Sequence, residues 1–429
     1  MSKNQNAIIS NRIQGQIKKR SESFNGKKNF LSIGSLTKRR RIQLHLTQSQ
    51  ACSSICSVSY LSKIESNKII PNDAYLDMLM ERLNIERYEL YMLKNADEVM
   101  DKVLEYFYNF DLEGYSELYE LCKEYDDNQV AEVVKMGYYL LTEDGEEASS
   151  YMMNNINLLN TMTDSVFMTF VLFSCETMLL NNEFDEINAI ANDLEALEYN
   201  SKFEILCKDF RFRLYAKENR EILVGELYHE LKLFYSQNVF VKRIERLSEY
   251  YFRVLFNAGE YDFIASSSYL TTLSHEYVSL DEYNYILGVS YFKTGRDYGG
   301  SEYIKKIKKD SIYYYKALEY LYYCAEDREE FVKEIRTLNK TVSNFYIDYF
   351  LAVFLGEMPK NPFTGKEYTD AIKKADISER IRIYHLERDY LTVNFRYKDA
   401  ILVQRKIEAL IAKTKSEKVI SIYNNRSKL

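Results

Sequence analysis

Residues 46–65 read LTQSQACSSICSVSYLSKIE, with Lys68 and Pro71 following. Apolar residues fall here at helical spacing: Ala51 with Ile55, then Val58, Leu61 and Ile64. Further on, Leu76, Leu79, Met80 and Leu83 form the i, i+3, i+4, i+7 stripe of an amphipathic helix. Thr47 before Gln48 and Ser57 before Val58 are suitable N-caps, and Asp73 follows Pro71 in a loop before a helix beginning near Ala74. The outline is helix, tight turn, helix.

Outward from this stretch, charge is strongly asymmetric. Residues 1–70 hold 13 Lys or Arg against Glu22 and Glu65, a balance of +11, although the whole chain is −7 and the rest is −18. A basic end suits docking on phosphates, while an acidic remainder stays off them. Residues 1–30 have little periodicity and are expected to form a flexible basic arm, either a solvated tail or part of the docking surface.

The run T-Q-x-x-x-C-x-x-I-x-S-x-S-Y-L-S-K-I-E, Thr47 to Glu65 with Pro71 beyond it, resembles the helix-turn-helix of phage-repressor-like regulators. It is most similar to the heads of peptide-pheromone-sensing regulators of low-GC Gram-positive bacteria or their phages, the Rgg, PlcR, PrgX and NprR kind. The resemblance covers about sixty residues. It implies a recognition helix from Val58 to Glu65, with Ser57, Ser59, Tyr60 and Lys63 turned to the major groove and Val58, Leu61 and Ile64 turned inward. It also implies that Gln48 touches a phosphate or base edge and that Lys68 neutralises a phosphate. Tyr60 has an alternative role, packing against Leu61. Arg41 and Glu65 match positions that pair as an internal salt bridge in such heads. Thr37 and Arg40 depart from the aliphatic pattern of the family's first helix, so the register over Leu36–Leu44 stays open among Arg39, Arg40 and Arg41.

The remainder is expected to be helical as well. The 287 residues from Asn72 to Met358 contain no proline, and only Pro71, Pro359 and Pro362 occur in all 429. Sandwiches and barrels need far more turn residues. Val99, Val103, Phe107 and Phe110 predict a connecting helix over residues 95–112, joining a head at 31–94 to a body at 113–429. Turn marks in that body at Gly145, Asn182, Asn219, Gly259, Gly295 and Asp327 are 37, 37, 40, 36 and 32 residues apart, with another at Arg396. These intervals bracket the period of about 34 residues of tetratricopeptide repeats. Tyr285–Gly295 is the best match to such a repeat's first helix, and Pro359 and Pro362 interrupt the array. The fold class is therefore all-α: a repressor-like helix-turn-helix domain followed by a TPR-like α-solenoid.

Stacked hairpins of this kind make concave binding surfaces. The 39 tyrosines suit an extended peptide, although most are expected in inter-helix core, and no peptide-contacting residue is assigned. Six scattered cysteines and four histidines, without CxxC, HxH or HExxH, supply no metal site, and no cofactor is expected. Nucleotide-binding and hydrolase motifs are absent, so catalysis is not expected. The uncharged stretch Ser165–Cys175 is too short to span a bilayer, and a cytoplasmic location is expected. The resemblance implies a homodimer on an inverted-repeat DNA operator, with a short signalling peptide of the quorum-sensing type altering dimer geometry and DNA affinity. Two alternatives remain: a protein-sequestering or anti-activator module with an autoregulatory head, and a peptide-independent dimeric repressor.

Overall fold

A computed structural model describes residues 3–22, 31–66, 68–69, 71–126, 128–156, 159–194, 197, 199–267, 279–357 and 361–426. All regular elements among them are helical, and the chain divides into two compact units, residues 1–211 and 212–429. The architecture is a helix-turn-helix head followed by TPR-like helical hairpins.

The first unit begins with α1 (Lys3–Glu22), where a flexible arm was expected. Ile9, Ile13 and Ile17 recur every fourth residue and are buried, so one stripe of α1 packs on α12 (Phe184–Leu194). Gln14 Nε2 donates to the carbonyl of Ala189 at 2.5 Å and to Asp193 at 3.2 Å. Arg20 pairs with Asp164, donates to the carbonyls of Leu159 and Met162, and lies 4.3 Å from the Phe167 ring centroid. The head follows as α2 (Leu31–Gln43), α3 (Gln48–Cys52), α4 (Val58–Glu65), α5 (Asp73–Arg82) and α6 (Arg87–Lys94). The segment expected to be a connector is instead the first arm of a hairpin, α7 (Ala96–Asn109) with α8 (Leu112–Cys122). Phe110 is not on its apolar stripe but in the turn, with φ of 52°. The next hairpins are α9 (Gln129–Leu141) with α10 (Gly145–Asn155), and α11 (Asp164–Leu180) with α12.

The uncharged stretch around Ser165–Cys175 is the buried axis of this unit: every residue of α11 from Ser165 to Leu179 is buried. Its hydroxyls survive burial by bonding one turn back, Thr169 to the Ser165 carbonyl at 2.9 Å and Ser174 to the Phe170 carbonyl at 2.7 Å. Gly137 of α9 permits the close approach of its neighbours, since a Cβ there would lie 1.9 Å from the Tyr115 hydroxyl and 2.5 Å from Phe173.

The unit boundary falls within α13 (Ser201–Lys217). The second unit continues with α14 (Glu221–Gln237), α15 (Val241–Ala258), α16 (Tyr261–Ser266), α17 (Leu280–Lys293) and α18 (Asp297–Ile304). Shorter helices follow: α19 (Ile312–Lys316), α20 (Leu318–Cys324), α21 (Arg328–Leu338) and α22 (Phe345–Tyr349), which runs into a π-helical turn, Phe350–Phe354. Then come α23 (Lys366–Lys374) and the closing pair α24 (Ile377–Val393) and α25 (Tyr397–Arg426).

One turn chemistry closes eight of the hairpins. Phe110, Glu143, Asn182, Asn219, Val239, Gly259, Gly295 and Phe395 adopt positive φ. The next residue's N–H then reaches the carbonyl five residues back, as in Glu183 to Met178 at 2.9 Å and Arg296 to Tyr291 at 2.8 Å. This pairing satisfies carbonyls that the helix end leaves open. Asn182, Asn219, Gly259 and Gly295 coincide with the expected marks. Gly145 and Arg396 sit two and one residues beyond the residue that turns, and Asp327 is an N-cap accepting from the Glu330 N–H. Pro362 lies in a turn, while Pro359 lies outside the described residues.

The acid is also unevenly placed. Residues 71–211 hold 9 Lys or Arg against 31 acids, −22, whereas residues 212–429 hold 35 against 31, +4. The second unit is therefore not part of an acidic body.

Candidate DNA-contact surface and ligand cavity

Local sequence chemistry builds the head. Thr47 closes a capping box: its hydroxyl accepts from the Gln50 N–H at 3.2 Å, and the Gln50 side chain accepts from the Thr47 N–H at 2.8 Å. Ser57 caps α4 by accepting from the Tyr60 N–H at 3.2 Å. Leu61 and Ile64 are buried to 0% and 1% exposure and turn α4 inward, leaving Ser59, Ser62 and Lys63 on its outer side. Val58, expected inside, is 44% exposed because it occupies the first turn, beyond the reach of the core.

Of the six residues assigned to DNA from sequence, Ser57, Ser59, Lys63 and Lys68 are exposed. Gln48 and Tyr60 are half-buried and already engaged. Gln48 donates to Glu65 at 2.8 Å, and the Tyr60 hydroxyl accepts from the Asn72 N–H at 3.4 Å. The Tyr60 ring meets Tyr75 edge-on with centroids 5.5 Å apart, so its packing partner is Tyr75. Arg41 and Glu65 form a bidentate pair, Nε–Oε1 2.5 Å and Nη2–Oε2 2.9 Å, with side chains 13% and 3% exposed. Hydrogen bonding to Glu65 raises the affinity of Arg41 for its proton.

Two features were not read from sequence. Arg40 makes a second bidentate pair with Glu89, both contacts 3.2 Å, and burial pushes the Glu89 carboxyl up although Arg40 opposes this. Thr37 is buried where an aliphatic was expected because its hydroxyl donates to the Ile33 carbonyl at 2.8 Å. Together these settle the register: Arg40 and Arg41 point into the head. Ser62 was also overlooked, although its three-residue spacing from Ser59 would have placed it on the outer face.

The second unit contains two adjoining cavities, of about 220 and 460 Å³, which share Phe256, Asn257, Tyr285, Lys316 and Arg382. The smaller is polar, with Lys217, Arg253, Glu282, Asp376 and Glu379 in its wall. The larger is mainly aromatic and aliphatic, including Tyr261, Tyr315, Tyr320, Tyr349, Phe350 and Phe354. Glu379 sits at the junction. Burial would raise its carboxyl, but Arg382 and Lys316 overturn this and hold it down at about 2. Lys316 Nζ lies 2.9 Å from Glu379 Oε1, Arg382 Nη2 3.4 Å from Oε2, and the Tyr346 hydroxyl donates to the same carboxylate. Arg382 also donates to the Tyr285 hydroxyl at 3.2 Å and to Asn257 at 3.1 Å. Burial pushes Glu319 up, against the pull of Lys293, and lowers His385.

No described helix is long and apolar enough to cross a membrane. Residues 38–90 match a family model described as helix-turn-helix. A transcriptional activator named NprA, from Geobacillus stearothermophilus, is 30% identical over 194 residues, covering 43% of each chain, so this chain spans less than half of that relative. A crystal structure of Bacillus thuringiensis PlcR in complex with the peptide PapR7 and DNA aligns with 69% of this chain and 99% of its own, at 18% identity and a TM-score of 0.23. Residues 38–90 hold capped α3 and α4 set at a tight turn, and this segment is what the helix-turn-helix family model is similar to.

Proposed function

We propose that this protein is a cytoplasmic, sequence-specific DNA-binding transcription regulator whose second unit binds a short signalling peptide. The observation that carries the reading is the outer face of α4. Ser59 and Lys63 are exposed together there, with Ser57 and Lys68 at its flanks, while Arg40 and Arg41 are withdrawn into internal pairs. Hydroxyls and ammonium groups at one helix face are suited to base edges and phosphates in the major groove. Gln48 and Tyr60 serve the surface chiefly by fixing its shape, through Glu65 and Asn72.

A twofold dimer on an inverted repeat is the arrangement proposed, with half-sites about one helical turn apart or a multiple of it. A peptide seated among the repeats then changes affinity by biasing the spacing of two heads, without touching α4. Binding to genomic fragments selected by the protein itself, followed by footprinting, tests this. Ser59→Ala with Lys63→Ala is expected to weaken the selected site by roughly 1–3 kcal/mol per lost base contact. Lys68→Ala should weaken all sequences alike and reduce the salt slope by about one. A footprint unchanged by both variants would remove α4 as the reading element.

A further inference from the structure

The outer face of α4 is poor in groups that tell one base from another. Arg, Asn and Gln read base edges with two hydrogen bonds at once, and the α4 sequence VSYLSKIE holds none of them. On α2 and α3, Arg40 is engaged with Glu89, Arg41 and Gln48 with Glu65, and Gln50 with Thr47. What α4 and its cap leave exposed in polar groups is Ser57, Ser59, Ser62 and Lys63. A hydroxyl donates or accepts and so suits several bases, and an ammonium meets any acceptor. Hydrogen bonds from these groups alone specify a base weakly.

Val58 offers a contact of another kind. An exposed apolar side chain is ordinary by itself, so its place on the helix is what matters. Val58 is the first residue of α4, directly after the Ser57 cap, and is 44% exposed. The leading end of a recognition helix is the part that meets base edges. A valine in a helix is nearly fixed at χ1, so its methyl groups are presented at low entropic cost. The apolar feature that a base edge shows in the major groove is the C5-methyl of thymine, which lies beside the acceptor O4. Val58 stands between the hydroxyls of Ser57 and Ser59, matching a methyl set beside an acceptor. The Ser57 hydroxyl accepts from the Tyr60 N–H, which leaves its own proton to donate.

Resting on the DNA reading above, we propose that Val58 is a specificity-determining residue, its methyl groups packing on the C5-methyl of a thymine in each half-site. Ser59 and Lys63 supply hydrogen bonds along the groove, and Val58 adds discrimination against the other bases at the leading end of the helix.

The full-length protein first selects its operator from random duplexes. Each thymine of the selected half-site is then replaced by uracil, which removes the methyl group and leaves O4 and the base pairing intact. Binding is read by fluorescence anisotropy. One thymine is expected at which uracil weakens binding about fourfold per half-site, the scale of one methyl group withdrawn from water. Val58→Ala should weaken the thymine operator by a similar factor and bind the uracil operator no worse than the thymine one. Its responses at the other positions, and its Tm, should match those of the parent, because the side chain it shortens is largely outside the core.

A half-site at which no uracil matters, or a uracil effect of the same size in Val58→Ala, overturns the inference and leaves the DNA reading standing. A parent protein that selects no sequence overturns both.

Discussion

The head and the second unit both bury arginine near carboxylates, but to different ends. In the head the pairing is one to one: Arg41 with Glu65 and Arg40 with Glu89, both bidentate. No cationic surplus is left in those pairs, and the charges that face outward, Lys63 and Lys68, lie on the surface. At the cavities the pairing is shared: Lys316 and Arg382 both reach Glu379, while Arg253 spans Glu249 and Glu282, so the charges there are pooled. The first arrangement fixes the shape of an outer surface, and the second ties several helices into one cavity wall.

Breaking the one-to-one pairing should have the largest effect. Glu65→Ala strands Arg41 and the Gln48 amide, and urea unfolding should show a loss of about 3–5 kcal/mol, as for other buried pairs deprived of one partner. A loss below about 1 kcal/mol would mean that the pair behaves as a surface one. Next comes Glu379. Its folded carboxyl at about 2 lies below the ordinary 4.5, so the stability it contributes is present above about pH 4.5 and disappears as pH falls through about 2. Unfolding measured from pH 7 downward should show Glu379→Gln less stable than the parent by about 3 kcal/mol at neutrality, with the gap closing in acid. A gap independent of pH would contradict the shared-carboxylate picture. The smallest effect is Thr47→Ala, which dissolves the capping box at α3 and should cost about 1 kcal/mol in the same assay, with the second unit unaffected.

Legibility followed local chemistry. Thr47 and Ser57 were readable as caps because capping is decided within four residues, and Asn182, Asn219, Gly259 and Gly295 were readable as turns because Asn and Gly tolerate positive φ. Phe110, Val239 and Phe395 make the same turn with bulky side chains, and no residue preference marks them. The Ile9, Ile13, Ile17 stripe of α1 was present but diluted by Lys18, Lys19 and Arg20, and what makes it a helix is a surface more than 170 residues away. The cavity cluster was illegible for the same reason: Asn257, Tyr285, Lys316 and Arg382 come from helices far apart in the chain.

The docking of α1 on α12 also bears on the order of events during synthesis. Gln14 bonds to Ala189 and Asp193, 175 and 179 residues later. At about 5–20 residues per second, α1 waits on the order of 10–40 s before its seat has been made. The head is synthesised within that interval, while α1 still lacks the surface it packs on and must later find it through a contact of very high sequence separation.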